Sequence, residues 1–331
     1  MRSPPPLPAA LLAWGGRVLP WAVAGGLLWY LLRKVSLEKT LAAVEGADLS
    51  LLLPAAVLCI LAWFLLDSAA LSYIFTRFNA PFSRREARSI RALTYLLAVV
   101  NWNLGTGGIV LHMRHAKGVP VIEAASTIFF YNLIDGLILT SLVLGGVLFL
   151  PRSLGLQSLG VAAAVLVAAQ VATLVFFLSR RRPSWRWLRR LADMRVFRTH
   201  QRATPRDTLV VLAFRVAYFA MFVVFFAIAL PAFGASVPIA HLAATVPAIL
   251  AVGTLPITPA GLGTQQAAVV YFYRDYAGEP ALLAFGFLLT FVFVLMRAPL
   301  SLFYLGDLAR LRAEISAGGD AGTEPVRKQR P

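Results

Sequence analysis

Eight stretches of this chain are apolar at or near the length that spans a bilayer: 16–32, 49–75, 92–111, 124–150, 156–178, 208–231, 239–273 and 281–306. A membrane helix needs roughly 20 consecutive apolar residues. Lipid offers no partner for a free backbone group, so such runs must close their own hydrogen bonds as helices. The expected fold is an all-α integral membrane protein.

Composition removes the other classes. Of 331 residues, 59% are hydrophobic and 14% charged, which leaves no polar stretch long enough to fold as a soluble domain. The longest, about 179–207, is mostly arginine. The formal net charge of +16 would point a soluble protein toward nucleic acid. In a membrane protein it points to topology signals and anionic headgroups instead. The single cysteine, Cys59, excludes an internal disulfide. Prolines and Arg17 spoil the N-terminal stretch as a cleavable signal. The expected organisation is a disordered lead (1–14), a membrane domain (15–310) and a disordered basic tail (311–331).

Loop charge sets the expected topology. Segment 76–91 holds Arg77, Arg84, Arg85, Arg88 and Arg91 against Glu86, and 179–207 holds ten arginines against Asp193 and Asp207. The positive-inside rule puts both in the cytoplasm. Three apolar segments separate them, so one must enter and return on the same side. Segment 92–111 is the candidate, because Asn101, Asn103, Gly105, Gly107 and Gly108 weaken a continuous helix. The same parity makes 239–273 a second, oppositely oriented hairpin around "TLPITPAGLGTQQ". The expectation is about six crossings, two re-entrant hairpins and both termini in the cytoplasm. A plain eight-crossing bundle is the alternative, and it breaks the charge rule at one major loop. Opposed broken helices suggest an inverted repeat with a substrate site between their tips. Segment 35–47 puts Leu37, Leu41 and Val44 on one face, as in a short interfacial helix; a solvated loop is the alternative.

Four ionisable residues fall within expected spans: Asp67, Asp135, Arg215 and Arg297. At 1.5 Å per residue they lie at similar depth, roughly 10–16 Å from the cytoplasmic ends. They suit either a paired network or a polar cavity, and Asp67 or Arg215 is near enough to the interface to reach water. Recognisable catalytic motifs are missing. There is no P-loop and no nucleophile elbow, and His112 and His115 lack a third ligand for a metal. No cofactor and no nucleic-acid partner is expected.

The stretch "PITPAGLGTQQ", with Pro256, Pro259, Gly261, Leu262 and Gly263, resembles the P-x-x-P-G-G-L-G-x-x-E motif of the lysylphosphatidylglycerol synthase family, in its transmembrane, flippase-like region. The stretch "NWNLGTGGIVLHMRHAKGV…FFYNLID" resembles that family's N-x-x-P-x-x-x-G-E-x-x-R pattern and its later R-x-x-D, in degraded form. The resemblance covers about 15–310. It implies a stand-alone member without the soluble aminoacyl-transfer domain, placed in a bacterial-type inner membrane. Ile109, His112, Asn132 and Gln266 stand where the family carries acid, arginine, arginine and acid.

The resulting expectation is a non-enzymatic translocator or binder of an anionic or modified phospholipid or lipid-linked headgroup, passive or ion-coupled. Its polar path would comprise Asn101, Asn103, Gly107, Gly108, Pro256, Pro259, Gly261, Gly263, Gln265 and Gln266, with Asp135, Arg215 and Arg297 beneath them. The alternative is a membrane partner subunit for a separate lipid-modifying enzyme, docking through 179–206. A membrane-embedded transferase is a third reading.

Overall fold

The computed structural model describes residues 37–100, 102–150, 154–179, 186, 190, 193–254, 258, 262–295, 297–304 and 306. The lead 1–14, the expected crossing 16–32 and the tail 311–331 lie outside the described residues. Every regular element among those described is helical. We number the helices α1 (Leu37–Glu45), α2 (Leu49–Phe78), α3 (Arg84–Val100), α4 (Trp102–Lys117), α5 (Val121–Phe149), α6 (Leu154–Leu178), α7 (Arg198–Arg202), α8 (Pro205–Ala229), α9 (Ile239–Thr254), α10 (Thr264–Tyr273), α11 (Glu279–Leu295) and α12 (Arg297–Phe303).

The helix starts follow from local capping chemistry. Asp48 Oδ1 accepts the N–H groups of Ser50 and Leu51 at 3.0 and 3.3 Å, which opens α2. Ser83 Oγ accepts the Glu86 N–H at 3.2 Å, which opens α3. Thr204 and Asp207 cap each other reciprocally ahead of α8, with Pro205 at its first position. Among the described residues, four segments are long and apolar enough to cross a membrane: Leu49–Phe78, Val121–Phe149, Gln157–Leu178 and Pro205–Phe233. Within α6, Val161, Val165, Leu166 and Val175 are exposed. An apolar face this wide is stable against lipid and costly against water.

Within the expected crossing 281–306 the described residues are helical over Glu279–Leu295 and Arg297–Phe303.

The chain forms two compact units. One draws on described residues within 1–59, 139–164 and 219–293, the other on 60–138, 165–218 and 294–331. In the first unit α9 and α10 form an antiparallel hairpin. Thr245 Oγ1 lies 2.9 Å from Tyr273 Oη, and His241 Nε2 lies 3.2 Å from the Phe272 carbonyl. Phe226 packs edge-on against Phe285 beside Tyr273. Helix α5 meets α9 at Gly146, where a Cβ would lie 1.9 Å from the Ala244 carbonyl oxygen. Only glycine permits that approach.

In the second unit α3 and α4 form the other hairpin, closed by contacts from Glu86 to His112 and Lys117. Its arms start earlier and run later than 92–111. Arg84, Arg85, Arg88 and Arg91 lie on α3 and not in a loop. Gly105, Gly107 and Gly108 are helical, and Asn101 lies outside the described residues. The core of this unit joins Leu71, Ile74 and Phe75 to Ile109, Met113, Phe130, Ile134 and Val211. Helix α12 packs on α3, where Ser301 Oγ donates to the Ala92 carbonyl at 2.5 Å. Within 35–47, Leu37–Glu45 is helical as α1, with Leu41 and Val44 exposed.

Candidate functional site

The second unit holds a cluster of four charged side chains from four helices. Asp67 lies on α2, Arg91 on α3, Asp135 on α5 and Arg215 on α8. Helical periodicity gives each a companion on its own face. Tyr95 follows Arg91 by four residues, Tyr131 precedes Asp135 by four, and Tyr218 follows Arg215 by three. The guanidinium of Arg215 sits 3.9 Å from the Tyr218 ring centre, and that of Arg91 sits 5.1 Å from the Tyr95 ring. Aromatic faces therefore replace part of the water these cations lose.

Asp67 is the hub. One carboxylate oxygen pairs with Arg91 Nε. The other accepts the Tyr131 hydroxyl and faces Arg215 Nη1 at 3.4 Å. Arg215 Nη1 also donates to Tyr131 Oη at 2.8 Å, and its Nη2 pairs with Asp135. Two carboxylates against two guanidiniums make the cluster neutral. That balance makes its burial affordable, since an unpaired buried ion costs several kcal/mol. The side chains of Asp67, Arg91 and Arg215 are 2, 6 and 5% exposed, whereas Asp135 is 31% exposed. Asp135 is thus the accessible edge of an otherwise enclosed network.

This changes two expectations. Neither Asp67 nor Arg215 reaches outward, because each is held by buried partners. The second cation is Arg91, which the charge count had placed in a cytoplasmic loop. The Arg297 backbone begins α12, but its side chain lies outside the described residues. Position 91 sits between a basic run and an apolar run, and sequence alone cannot tell an anchor from a buried partner there. The four-residue spacing to Tyr95 was the available signal.

A second group lies at the open end of the α3–α4 hairpin. Glu86 Oε1 is 3.1 Å from both His112 Nε2 and Lys117 Nζ. Burial acts to raise the Glu86 carboxyl, but the bonds from His112 and Lys117 outweigh it and hold the group below its usual range. His112 is therefore a partner for an acid on α3.

In the first unit the second hairpin's tip is held by Gln266. Gly263, at φ 83°, opens α10 and donates its N–H to Gln266 Oε1 at 2.7 Å. Gln266 Nε2 donates to the Gly286 carbonyl at 3.2 Å and to Thr290 Oγ1 at 3.0 Å. The side chain is fully buried, so Gln266 acts as a clamp and presents no open polar group to a path. An amide suits the position because its two ends meet a donor and a carbonyl. Gln265 is nearly buried, and its Nε2 lies where a Cβ on Gly253 would come within 2.7 Å. Pro256, Pro259 and Gly261 lie outside the described residues, as do Asn101 and the side chain of Asn103. Gly107 and Gly108 are half-buried on α4, with open space beside Gly107. Of the expected path residues among those described, Asp135 pairs with Arg215 and Gly263 bonds to Gln266.

The arginine-rich stretch 179–206 includes helix α7. Thr199 and His200 on α7 are buried, and the Thr199 N–H donates to Ser126 Oγ at 2.9 Å. Arg198 pairs with Glu123. No group of three His, Cys, Asp or Glu side chains is placed to hold a metal among the described residues.

Long apolar helices around a buried, balanced charge cluster define an all-α integral membrane protein. The chain belongs to the lysylphosphatidylglycerol synthase TM region family, whose model matches residues 17–306. The family places it among membrane proteins related to lipid modification or flipping. No curated protein matches the chain.

Proposed function

We propose that this protein is a non-enzymatic, flippase-like carrier that binds and passes an anionic or modified phospholipid, or a lipid-linked headgroup, across a bacterial-type inner membrane. Both termini face the cytoplasm, and the α3–α4 and α9–α10 hairpins re-enter from opposite sides. The observation that carries the reading is the Asp67–Arg91–Arg215–Asp135 cluster with its single accessible edge. Ionisable groups inside membrane helices are expensive and tend to mark substrate or ion pathways. Arg215 is the group that would meet a headgroup phosphate, and Asp135 is the side chain a phosphate would displace.

The test is scrambling of a fluorescent-headgroup phosphatidylglycerol in proteoliposomes, read by dithionite quenching of the outer leaflet. Wild-type protein is expected to make the inner-leaflet label accessible, and Arg215→Gln is expected to reduce that rate at least about tenfold, the scale of one lost charged contact. Quenching no faster than in empty liposomes refutes the carrier reading.

A further inference from the structure

The neutrality of the cluster constrains what can enter it. Asp67 is bound by three donors, from Arg91, Tyr131 and Arg215. Asp135 has one ion-pair partner among the described residues, Arg215. Neutralising Asp67 would remove the carboxylate that pairs with Arg91. Neutralising Asp135 leaves Arg215 still held by Asp67 and the Tyr131 hydroxyl. The two carboxylates are therefore unequal, and the accessible one is also the expendable one.

An anionic headgroup that reached Arg215 would take the place of the Asp135 carboxylate. If that carboxylate stayed ionised, an enclosed neutral site would acquire a net negative charge and a displaced anion beside it. A proton on Asp135 removes both penalties at once. The titratable and charged groups facing Asp135 are Asp67 from α2, Arg91 from α3, Tyr131 on its own helix, and Arg215 from α8, which stacks on Tyr218. Helix α6 brings the amide of Gln170, against Gly136, and has no ionisable side chain. Elsewhere on the α3–α4 hairpin, Glu86 is engaged by His112 and Lys117. No second carboxylate is as exposed or as lightly held within the cluster.

We propose that Asp135 is a proton-coupling group. It takes one proton from solution onto its carboxylate when an anionic phosphodiester headgroup replaces it on Arg215, and returns that proton when the headgroup leaves. Loading and protonation are then one event, and a pH difference across the membrane biases the direction of lipid movement. This inference rests on the carrier reading above and names its coupling ion.

The experiment uses the full chain in maltoside detergent, titrated with soluble dihexanoyl-phosphatidylglycerol from pH 5 to 8. The phosphodiester stays ionised throughout, so any pH dependence belongs to the protein. The expected result is an affinity that falls about tenfold per pH unit over the upper part of the range. Uptake of one proton per bound lipid should accompany it, read with an indicator dye in weak buffer. Asp135→Asn should bind with neither slope nor uptake, and Asp135→Glu should keep both. Wild-type binding without proton uptake overturns the coupling inference and leaves the carrier reading standing, as does an undiminished slope in Asp135→Asn. Absence of binding at every pH overturns the carrier reading, and the coupling with it. If Asp135→Asn does not fold, wild-type stoichiometry and the Asp135→Glu slope still decide the matter.

Discussion

His200 makes the protein acid-sensitive in a calculable way. It sits on α7 between Phe129, Phe130, Phe177 and Phe197, with ring centroids 5.3, 5.3, 5.3 and 5.6 Å away. The residue is 1% exposed, and neither ring nitrogen has a hydrogen-bond partner. Burial alone pushes its pKa down, to about 4 from the ordinary 6.5. The folded state thus keeps the imidazole neutral where the unfolded state would protonate it. Between those two values the unfolded chain binds more protons, so stability falls as pH falls from about 6.5 toward 4. The full shift is worth about 3 kcal/mol, of which about 2 kcal/mol is already lost at pH 5. Because carboxylates such as Glu86 also lose stabilisation in acid, the informative quantity is a difference between proteins. Detergent-solubilised wild type and His200→Leu are melted across pH 7.5 to 4.5. The variant removes two unpartnered nitrogens and is expected to be at least as stable at neutral pH. Its advantage should then grow by about 2 kcal/mol by pH 5. A wild-type-minus-variant difference that stays flat across this range refutes the reasoning.

Two further substitutions test the first unit. Gly146→Ala drives a methyl into the Ala244 carbonyl oxygen and is expected to cost about 1–3 kcal/mol in thermal stability. Gly145→Ala, which meets nothing within 4 Å, should be neutral or slightly stabilising, and equal effects at the two positions would exclude the close approach as the cause. Gln266→Glu keeps the acceptor for Gly263 but sets a carboxylate against the Gly286 carbonyl, at a cost of about 1–3 kcal/mol at neutral pH. The folded pKa of the new acid is raised, so the loss should shrink as pH falls and the carboxyl regains its proton. A loss that is constant with pH in thermal melts would show that the clamp is not formed by the amide.

Much of the architecture was legible because bilayer physics writes directly into composition. Runs such as 124–150 and 208–231 can only be helices, and counting arginines against crossings sets the expectation of two segments that turn back. At those places α3 packs against α4 and α9 against α10. Less legible was where each hairpin starts. Arg84 to Arg91 read as a charged loop because charge marks the interface, yet Ser83 and Glu86 cap a helix that carries those residues inward. Asp67, Asp135, Arg215 and Arg297 stood out as a group because charges at similar depth in apolar helices must find compensation. Gln266 stood out for the wrong reason: its polarity suggested an open path, whereas its bonds to Gly263, Gly286 and Thr290 tie down the tip.

By itself the sequence determined that this chain is a helical membrane protein, where its long helices run, and which charges they must bury. Those properties depend on residue type and spacing, and both are local. Tertiary structure alone decided that Arg91 and Tyr131 complete the cluster, that Asp67 is its enclosed hub, and that Asp135 is its one exposed edge. Partnership among α2, α3, α5 and α8 depends on helix rotation and approach. Packing sets these across the distances that separate residues 67, 91, 135 and 215 in the chain.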